Sequence, residues 1–399
     1  MIYNETRYNS QWSTKKLSEL GTFARGKSKH RPRDDERLYV GGGYPLIQTG
    51  EVKAANLYIT HHEQEYNEFG LAQSKLWDEG TLCITIAANI AETAILKYPM
   101  CFPDSVVGFS AFPEESSEKF MHYVFTYIRN SIQNSVAGSI QDNINIAYLS
   151  QLDFKVPPKN YQDKVVEVLG NIDEKIDTNN RICAELESMT KTLYDYWFTQ
   201  FDFPNADGKP YRSSGGEMVW NDQLKRKIPK GWEATTMDAL TTVLTGKEDA
   251  NFSTLNGKYK FFTCAQETIL CDSPAFSGHA VLIAGNGDFN VKHYTGDFNA
   301  YQRTYVLIPK EAKHYTVMYI AAQKRIQAFK QGSNGSIVKF ITKGDVENIP
   351  IILPDNDAYL YTLNRILGKI EHCERENDEL TKLRDWLLPM LMNGQATVE

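Results

Sequence analysis

The stretch WSTKKLSELGTFARGK (Trp12–Lys27) recurs in diverged form as WEATTMDALTTVLTGK (Trp232–Lys247). The two copies share an aromatic start, two apolar positions and a closing Gly-Lys pair at a constant offset of 220 residues. Later segments match at offsets of 194, 197 and 198 residues. A period of about half the chain indicates a duplicated domain, because solenoid repeats are only roughly 20–50 residues long.

The two copies agree at their edges and diverge in their middles. Residues 28–118 resemble residues 248–312 only loosely, and the second middle is shorter. Drift after duplication is one interpretation of this contrast. The other is that the shared edges build a frame while the divergent middles recognise different ligands.

Apolar and alternating runs after each Gly-Lys pair predict strands. These runs are 44–48, 81–87 and 106–112 in the first copy, and 258–263, 279–284 and 301–308 in the second. Helical spacing predicts an amphipathic helix over 120–132. A last strand precedes Pro157 and, in the second copy, Pro354. Each copy is therefore expected to be a mixed α/β unit with one helix near its end.

Each copy closes with a long helical segment whose apolar residues step by three and four positions. This spacing predicts a seam of about four to five heptads, and about 35 residues at ~1.5 Å each give roughly 50 Å. That length exceeds the width of a small domain, so it favours pairing of the two helices. The residues expected to pair are Ile172, Ile176, Asn179, Leu186, Leu193, Ile370, Asn377, Leu380 and Leu387.

Asn179 and Asn377 fall near the midpoints of the two helical segments. Midpoints meet in an antiparallel pair, so we expect the two asparagines to approach each other near a pseudo-two-fold axis. A buried polar residue fixes helix register at some cost in stability. The alternative is that each asparagine faces solvent or caps a kink.

The expected fold class is α+β. Two mixed α/β domains stand in pseudo-two-fold tandem, separated by two long antiparallel α-helices that form a coiled coil. A segment rich in Gly, Pro, Asp, Asn and Ser reads as a linker strap between the copies. The expected boundaries are 1–158 for the first domain, 159–200 for the first spacer helix, 201–230 for the strap, 231–355 for the second domain and 356–399 for the second spacer helix.

Composition narrows the functional classes. The net charge of −7 over 399 residues argues against a protein that coats DNA alone by bulk attraction. The segment RGKSKHRPR (25–33) is nevertheless strongly basic, and local patches decide contact with phosphate. The six cysteines show no CxxC spacing, the N-terminus has no apolar signal region and no apolar run is long enough to span a membrane, so we expect a cytoplasmic location.

Catalytic motifs are not found. The sequence has no (D/N)PP(Y/F/W) motif of adenine methyltransferases and no P-loop. The triplets at 51–53 and 311–313 resemble part of a nuclease site, but such triplets are expected by chance. The histidines have no carboxylate or Cys partner at ligand spacing, so we interpret them as isolated surface or core residues: His61, His62, His279, His293 and His314.

The segment FDFPNADGKPYRSSGGEMVWNDQLKRKIPKGWE (Phe201–Glu233) resembles the central stretch of type I restriction–modification specificity subunits. The two Trp-to-Gly-Lys openings, the GSIQDNINIAYLSQLDFKVPP domain end (138–158) and the helix end LYDYWF (193–198) are also similar to that family. The resemblance covers nearly the whole chain and includes the duplication.

The resemblance implies a non-catalytic subunit whose two target-recognition domains each read one half of a bipartite DNA sequence. The helices hold the halves apart and dock two modification subunits, which bind S-adenosylmethionine and methylate adenine. Restriction subunits, which are motor–nucleases, use ATP and Mg. These cofactors belong to the partners. Because the two middles differ, the target is expected to be asymmetric.

Base reading needs hydrogen-bonding side chains on loops, whereas Lys and Arg mostly position the protein on phosphates. A coiled-coil adaptor that assembles proteins without reading DNA is an alternative, and an enzyme with an unrecognised site is a third. The candidate DNA-binding residues are Lys27, Lys29, Arg31, Arg33, Ser139, Gln141 and Asn143 in the first domain, and Lys247, Asn286, Ser336 and Lys339 in the second.

Overall fold

The computed structural model describes residues 2–137, 144–331 and 340–398. The chain divides into two compact units, one of residues 1–178 with 377–399 and one of residues 179–376. Each unit combines a mixed α/β domain with part of both long helices. The expected class, two mixed α/β domains together with two long helices, is confirmed.

Unit 1 is built from short strands, short helices and two longer helices. Its strands are β1 (Ser13–Lys16), β2 (Gly21–Arg25), β3 (Tyr44–Leu46), β4 (Tyr58–Ile59), β5 (Gln64–Tyr66), β6 (Leu76–Trp77), β7 (Leu82–Thr85), β8 (Thr93–Leu96), β9 (Met100–Cys101), β10 (Val106–Ala111) and β11 (Asp153–Val156). Its helices are α1 (Leu17–Leu20), α2 (Thr49–Ala54), α3 (Glu68–Ala72), α4 (Glu118–Ala137), α5 (Ile146–Ser150) and the first part of α6 (Lys159–Tyr194).

The main sheet of unit 1 has the strand order β2-β10-β7-β8-β4, and a second sheet has the order β5-β3-β9-β6. Strand β7 is buried on both faces. Leu82 and Ile84 join a core that includes α4, whereas Cys83 joins a separate cluster with Trp77 and Met100. Alternate residues of a strand point to opposite faces, so burial of both faces requires the unbroken apolar run seen in the sequence.

Unit 2 repeats the frame with a different middle. Its strands are β12 (Met218–Asn221), β13 (Arg226–Pro229), β14 (Glu233–Thr236), β15 (Thr241–Thr245), β16 (Tyr259–Phe262), β17 (Ile269–Cys271), β18 (Phe276–Ala284), β19 (Val291–Ala300), β20 (Thr304–Pro309) and β21 (Pro350–Leu353). Its helices are α7 (Met237–Leu240), α8 (Tyr315–Gln331), α9 (Lys343–Glu347), the last part of α6 and the first part of α10 (Ala358–Met392), whose remainder belongs to unit 1.

The sequence duplication is visible in the strand pairing of both units. The first strand of each sequence repeat pairs antiparallel with the last, β1 with β11 in unit 1 (Ser13 opposite Val156) and β14 with β21 in unit 2 (Glu233 opposite Leu353). The order β2-β10-β7 recurs as β15-β20-β18. The middles differ, because unit 1 inserts a second sheet with α2 and α3, whereas unit 2 adds β17 to the edge of its main sheet.

Each of the six predicted internal strands is confirmed to within three residues at either end. Strand β19 was not predicted. Its sequence VKHYTGDFNA mixes charged residues, glycine and aromatics, so it carries no clear period of two. Antiparallel pairing with β18 from Phe276–Phe298 to Ile283–Val291 holds it in the sheet despite this composition.

Helices α6 and α10 run antiparallel in both units. In unit 1, the Tyr161 hydroxyl near the start of α6 donates to the Ala396 carbonyl oxygen just beyond the end of α10, at 2.7 Å. In unit 2, the Cys183 thiol donates to the Ile370 carbonyl oxygen at 3.7 Å. Residues later in α6 therefore contact residues earlier in α10. Helix α6 continues as a turn of π-helix over Asp195–Thr199.

The segment predicted as a strap packs into unit 2. Strands β12 and β13 form a hairpin, and the Phe203 ring stacks 4.6 Å from the rings of both Tyr211 and Trp232. Phe201 is fully buried in the same core. Within the described parts of the chain, no helix combines the length and apolar character needed to cross a bilayer.

Candidate nucleic-acid interface

Backbone hydrogen bonds bring four loop segments together at one end of the unit 2 sheet. The Gly246 N–H donates to the Thr304 carbonyl oxygen at 3.1 Å, and the Gly285 N–H donates to the Arg303 carbonyl oxygen at 2.9 Å. The Ile341 N–H in turn donates to the Gly285 carbonyl oxygen at 2.8 Å. The Gly-Lys pair of the sequence repeat therefore lies in a loop cluster.

Glycine is required in this cluster because two backbone segments nearly touch. A Cβ atom at Gly246 would lie 1.9 Å from the carbonyl oxygen of Ala300. At Gly26 in unit 1, a Cβ atom would lie 2.3 Å from the carbonyl oxygens of both Phe102 and Pro103. The repeated glycine thus serves the same close approach in both domains.

A cleft of about 460 Å³ opens at the unit 2 loop cluster. Asn286, a predicted base-reading residue, lines it, and Lys247 is exposed on the adjoining loop. The exposed side chains of Gln302 and Arg303 line the same cleft, as does Phe340, which is 64% exposed. No motif in the sequence marks these last three residues. Gln302 and Arg303 stand directly before β20, which pairs with β18, and β18 ends just before Asn286.

The same frame occurs in unit 1. The Gly26 N–H donates to the Val106 carbonyl oxygen at 2.8 Å, and the Ile86 N–H donates to the Ser105 carbonyl oxygen at 2.9 Å. The Ile144 N–H then donates to the Ile86 carbonyl oxygen at 3.1 Å, which matches the bond from Ile341 in unit 2. The two domains therefore present equivalent loops with different side chains.

The predicted cations of unit 1 lie on one ordered segment. Lys27, Lys29, Arg31 and Arg33 are all exposed. The Gln73 side-chain oxygen accepts a hydrogen bond from the Lys29 backbone N–H at 2.7 Å and so holds the segment in place. The segment can therefore offer several positive charges to a polyanion.

Two of the four cations already have partners within unit 1. The Arg33 guanidinium pairs with the Asp104 carboxylate at 2.6 Å, and both side chains are at least 40% exposed. The Arg31 guanidinium donates to the carbonyl oxygens of Ser28 and His30 at 2.6 and 2.7 Å. An exposed pair of this kind is worth only about 0–1 kcal/mol, so a phosphate could compete for Arg33.

Asp35 anchors the far end of the basic segment. Hydrogen bonds from Arg37 and His30 hold the pKa of the Asp35 carboxyl far below its usual range. The His30 Nε2 atom lies 2.7 Å from an Asp35 carboxylate oxygen. Asp35 therefore stays ionised and offsets part of the positive charge that precedes it.

The remaining candidates are not placed. Ser139, Gln141 and Asn143 in the first domain, and Ser336 and Lys339 in the second, lie outside the described residues. The assignment of all eleven residues to DNA contact stays a prediction.

The residues expected to pair the helices are buried or half-buried. Ile172, Ile176 and Ile370 are less than 10% exposed, and Leu186, Leu193, Leu380 and Leu387 are half-buried. Asn179 is only 1% exposed, and its amide donates to a Glu376 carboxylate oxygen at 2.7 Å. The approach of Asn179 to Asn377 stays a prediction.

The interpretation of the histidines as isolated is wrong for His62, whose Nε2 atom lies 3.1 Å from a Glu65 carboxylate oxygen, and for His293. The His293 Nδ1 atom lies 3.5 Å from a Glu371 carboxylate oxygen, and its Nε2 atom lies 3.9 Å from Glu374. These partners stand on α10, far along the chain from β19, so their spacing in sequence could not show the pair.

A known protein family matches both domains of this chain. The profile of the family described as "Type I restriction modification DNA specificity domain" matches residues 9–188 and 229–380, which is most of the chain. This chain belongs to that family. The two matched segments correspond to the two sequence repeats, and the specificity domains of the family are therefore present twice.

Curated relatives agree with this assignment. The chain is 36% identical over 180 residues to the EcoDI type I restriction enzyme specificity subunit of Escherichia coli, a match that spans 43% of this chain and 40% of that relative's length. It is 23% identical over 429 aligned positions to the MjaIX specificity subunit of Methanocaldococcus jannaschii, covering 97% of this chain and 94% of that relative.

A solved structure shares the fold. The crystal structure of a type I restriction–modification S subunit from M. genitalium superposes with a TM-score of 0.62 at 16% identity. The match covers 98% of this chain and 99% of that one. The adaptor and enzyme alternatives gain no support from these similarities.

Proposed function

We propose that this chain is the non-catalytic DNA-recognition subunit of a type I restriction–modification complex, in which each domain reads one half of an asymmetric bipartite target. The observation that carries the proposal is the duplicated loop frame with unlike side chains. Lys27 and Lys247 occupy the same position in the two loop frames. The cleft side chains differ: Arg303 of unit 2 stands where unit 1 has Ser105, since each carbonyl oxygen accepts the equivalent backbone hydrogen bond. Two equivalent loop frames that carry different side chains suit two different half-sites.

Within this proposal, side chains divide by chemistry. Lys27, Lys29 and Lys247 contact phosphates, which position the protein without specifying sequence. Asn286, Gln302 and Arg303 contact base edges, because an amide suits adenine and a guanidinium suits guanine in the major groove. The net charge of −7 makes the partner subunits the main source of the basic clamp.

We further propose that α6 and α10 set the unread spacer and dock two modification subunits. Ile182 and Met189 on α6 and Tyr196 in the π-helical turn that follows it repeat every seven positions, and they are 42%, 49% and 37% exposed. Seven-residue spacing places Ile182 and Met189 on one face of α6. An exposed apolar stripe of this kind is typical of a protein-interaction surface.

We assign the cofactors of the complex to the partner subunits. S-adenosylmethionine is assigned to the modification subunits, and ATP and Mg to the restriction subunits. This chain supplies sequence recognition and assembly, and it carries none of the chemical steps.

The direct test is methylation-site sequencing of DNA from cells that contain this chain and its modification subunits. The expected result is one asymmetric motif of two half-sites with a fixed gap. Exchange of residues 12–157 for the equivalent block of a homologous chain should change one half-site and leave the other. Absence of a motif, or a palindromic motif, would contradict the proposal.

Side-chain roles are tested in the same system. Lys247→Ala should weaken binding to every sequence and reduce the slope of log affinity against log salt by about 1. Asn286→Ala should instead reduce discrimination at one base pair of one half-site. Lys225→Ala, at an exposed turn outside the loop cluster, is the matched control and should change neither property.

A further inference from the structure

A buried carboxylate on α6 ties four segments of unit 1 together. Asp173 is 3% exposed. Its carboxylate accepts hydrogen bonds from the Tyr123 hydroxyl at 2.7 Å, from the Arg384 guanidinium at 3.0 Å and from the Asn56 amide at 3.2 Å. Tyr123 stands on α4 and Asn56 lies between α2 and β4, so both belong to the recognition domain. Arg384 stands on the antiparallel helix α10.

A half-buried carboxylate on α10 occupies the corresponding place in unit 2, where the Glu371 side chain is 12% exposed. The Glu371 carboxylate accepts hydrogen bonds from the Tyr315 hydroxyl at 2.7 Å and from the Thr295 hydroxyl at 2.9 Å, and His293 lies 3.5 Å away. Burial alone would raise the pKa of Glu371. The hydrogen bonds from Tyr315 and Thr295, together with the nearby His293 ring, outweigh burial and hold the pKa of Glu371 below its usual value.

The two carboxylates are equivalent in the repeat. Asp173 and Glu371 are 198 residues apart, which is the offset that relates the two long helices. In both units the closest donor is a tyrosine on the last long helix of the recognition domain, α4 or α8. The nitrogen-bearing side chain beside the carboxylate differs, since it is Arg384 in unit 1 and His293 in unit 2. Leu186 stands at the position on α6 that corresponds to Arg384.

Apolar packing does not explain a carboxylate at these positions. Burial of a charge costs free energy that its hydrogen bonds must offset, and a leucine would pack on the domain without that cost. Apolar burial is non-directional, however, whereas a hydrogen bond weakens steeply when its angle changes. A fully bonded carboxylate therefore fixes one orientation of the domain on its helix.

We propose that Asp173 and Glu371 are positioning residues, each of which holds its recognition domain at a defined angle on the helix beneath it. The inference rests on the proposed function, because the angle matters when each domain must reach its half-site across a spacer of fixed length. Loss of either tyrosine hydroxyl would then loosen one domain and broaden the range of spacers accepted.

The test uses this chain assembled with its modification subunits on DNA that contains both half-sites. The measured quantity is the methylation rate at the preferred spacer divided by the rate at spacers one base pair shorter and longer. Tyr123→Phe and Tyr315→Phe should each reduce this ratio about tenfold, since a hydrogen bond to a charged group contributes on the order of a factor of ten.

Matched controls remove a tyrosine hydroxyl that is bonded within its own unit to residues outside α6 and α10. Tyr148→Phe breaks the contacts to Tyr3 and Ser135 in unit 1, and Tyr211→Phe breaks the bond to the Glu217 carbonyl oxygen in unit 2. Both controls should keep the spacer ratio of the unmodified chain. Glu371→Gln is a second variant of similar size, and it should lower the ratio as Tyr315→Phe does.

The outcomes separate the inference from the proposed function. An unmodified chain that shows no preference for any bipartite sequence would overturn the proposed function. A selective unmodified chain whose Tyr123→Phe and Tyr315→Phe variants keep the ratio of their controls would overturn the positioning role. A fall in total activity at a constant ratio counts against the role in the same way, because a purely stabilising contact changes only the amount of folded protein.

Discussion

Replacement of Gly246 by alanine should open the loop cluster of unit 2. The new Cβ atom would lie 1.9 Å from the Ala300 carbonyl oxygen and 2.4 Å from that of Tyr301. Both neighbours are backbone atoms, so no side-chain rotation relieves the contact. The Gly-Lys loop must move away by about 1.5 Å to reach an ordinary van der Waals distance.

The cost has two parts. Forcing an extra methyl group into a closely packed site costs about 1–3 kcal/mol. The displaced loop also weakens the bond from the Gly246 N–H to the Thr304 carbonyl oxygen, 3.1 Å, and that from the Gln302 N–H to the Glu248 carbonyl oxygen, 2.9 Å. Each is worth about 0.5–1.5 kcal/mol. We expect the local free energy of opening to fall by about 3 kcal/mol.

Hydrogen exchange read by mass spectrometry measures this change strand by strand. Amides of β15 and β20 should exchange faster in Gly246→Ala, whereas those of β2 and β10 in unit 1 should not change. Gly368→Ala is the matched control, because that glycine lies within α10 with no other atom within 4 Å of the new Cβ position. It should stabilise α10 by about 0.5–1 kcal/mol. Exchange in β15 and β20 that differs from the unmodified chain by less than about 0.5 kcal/mol would refute the steric argument.

Three further predictions concern pH, helix pairing and docking. Burial lowers the pKa of His122 from 6.5 to about 4. Between pH 6.5 and pH 4 the folded state therefore binds fewer protons than the unfolded state, and the free energy of unfolding should fall by about 3 kcal/mol as the pH is lowered through this range. In denaturant titrations, His122→Gln should show a smaller fall. Asn179→Leu removes the donor to Glu376 and should lower the free energy of unfolding by about 1–2 kcal/mol, which thermal unfolding would report as a lower midpoint temperature. An unchanged midpoint would show that this bond contributes nothing. Met189→Glu should weaken copurification of the modification subunits, whereas Ser188→Glu, beside the stripe on the same exposed helix surface, should not; equal retention by both variants would argue against the stripe.

Much of the fold could be predicted from the sequence because its signals are local or periodic. The heptad seam marked both long helices, since burial of one helix face imposes a spacing of three and four residues. The apolar run of β7 marked a strand covered on both faces. Strand β19 could not be predicted, because its polar residues contact partners such as Glu371 that come from distant parts of the chain.

The sequence by itself determined the duplication, the antiparallel expectation for the helices and the residues Lys27 and Lys247 at the repeated loop. Those features depend on spacing along one chain. Only the tertiary structure decided that Gly26 and Gly246 sit against a backbone, that Gln302 and Arg303 share a cleft with Asn286, and that Asp173 meets Arg384 211 residues away. Such contacts depend on which strands pair and which helices pack, and neither leaves a period or a motif in the sequence.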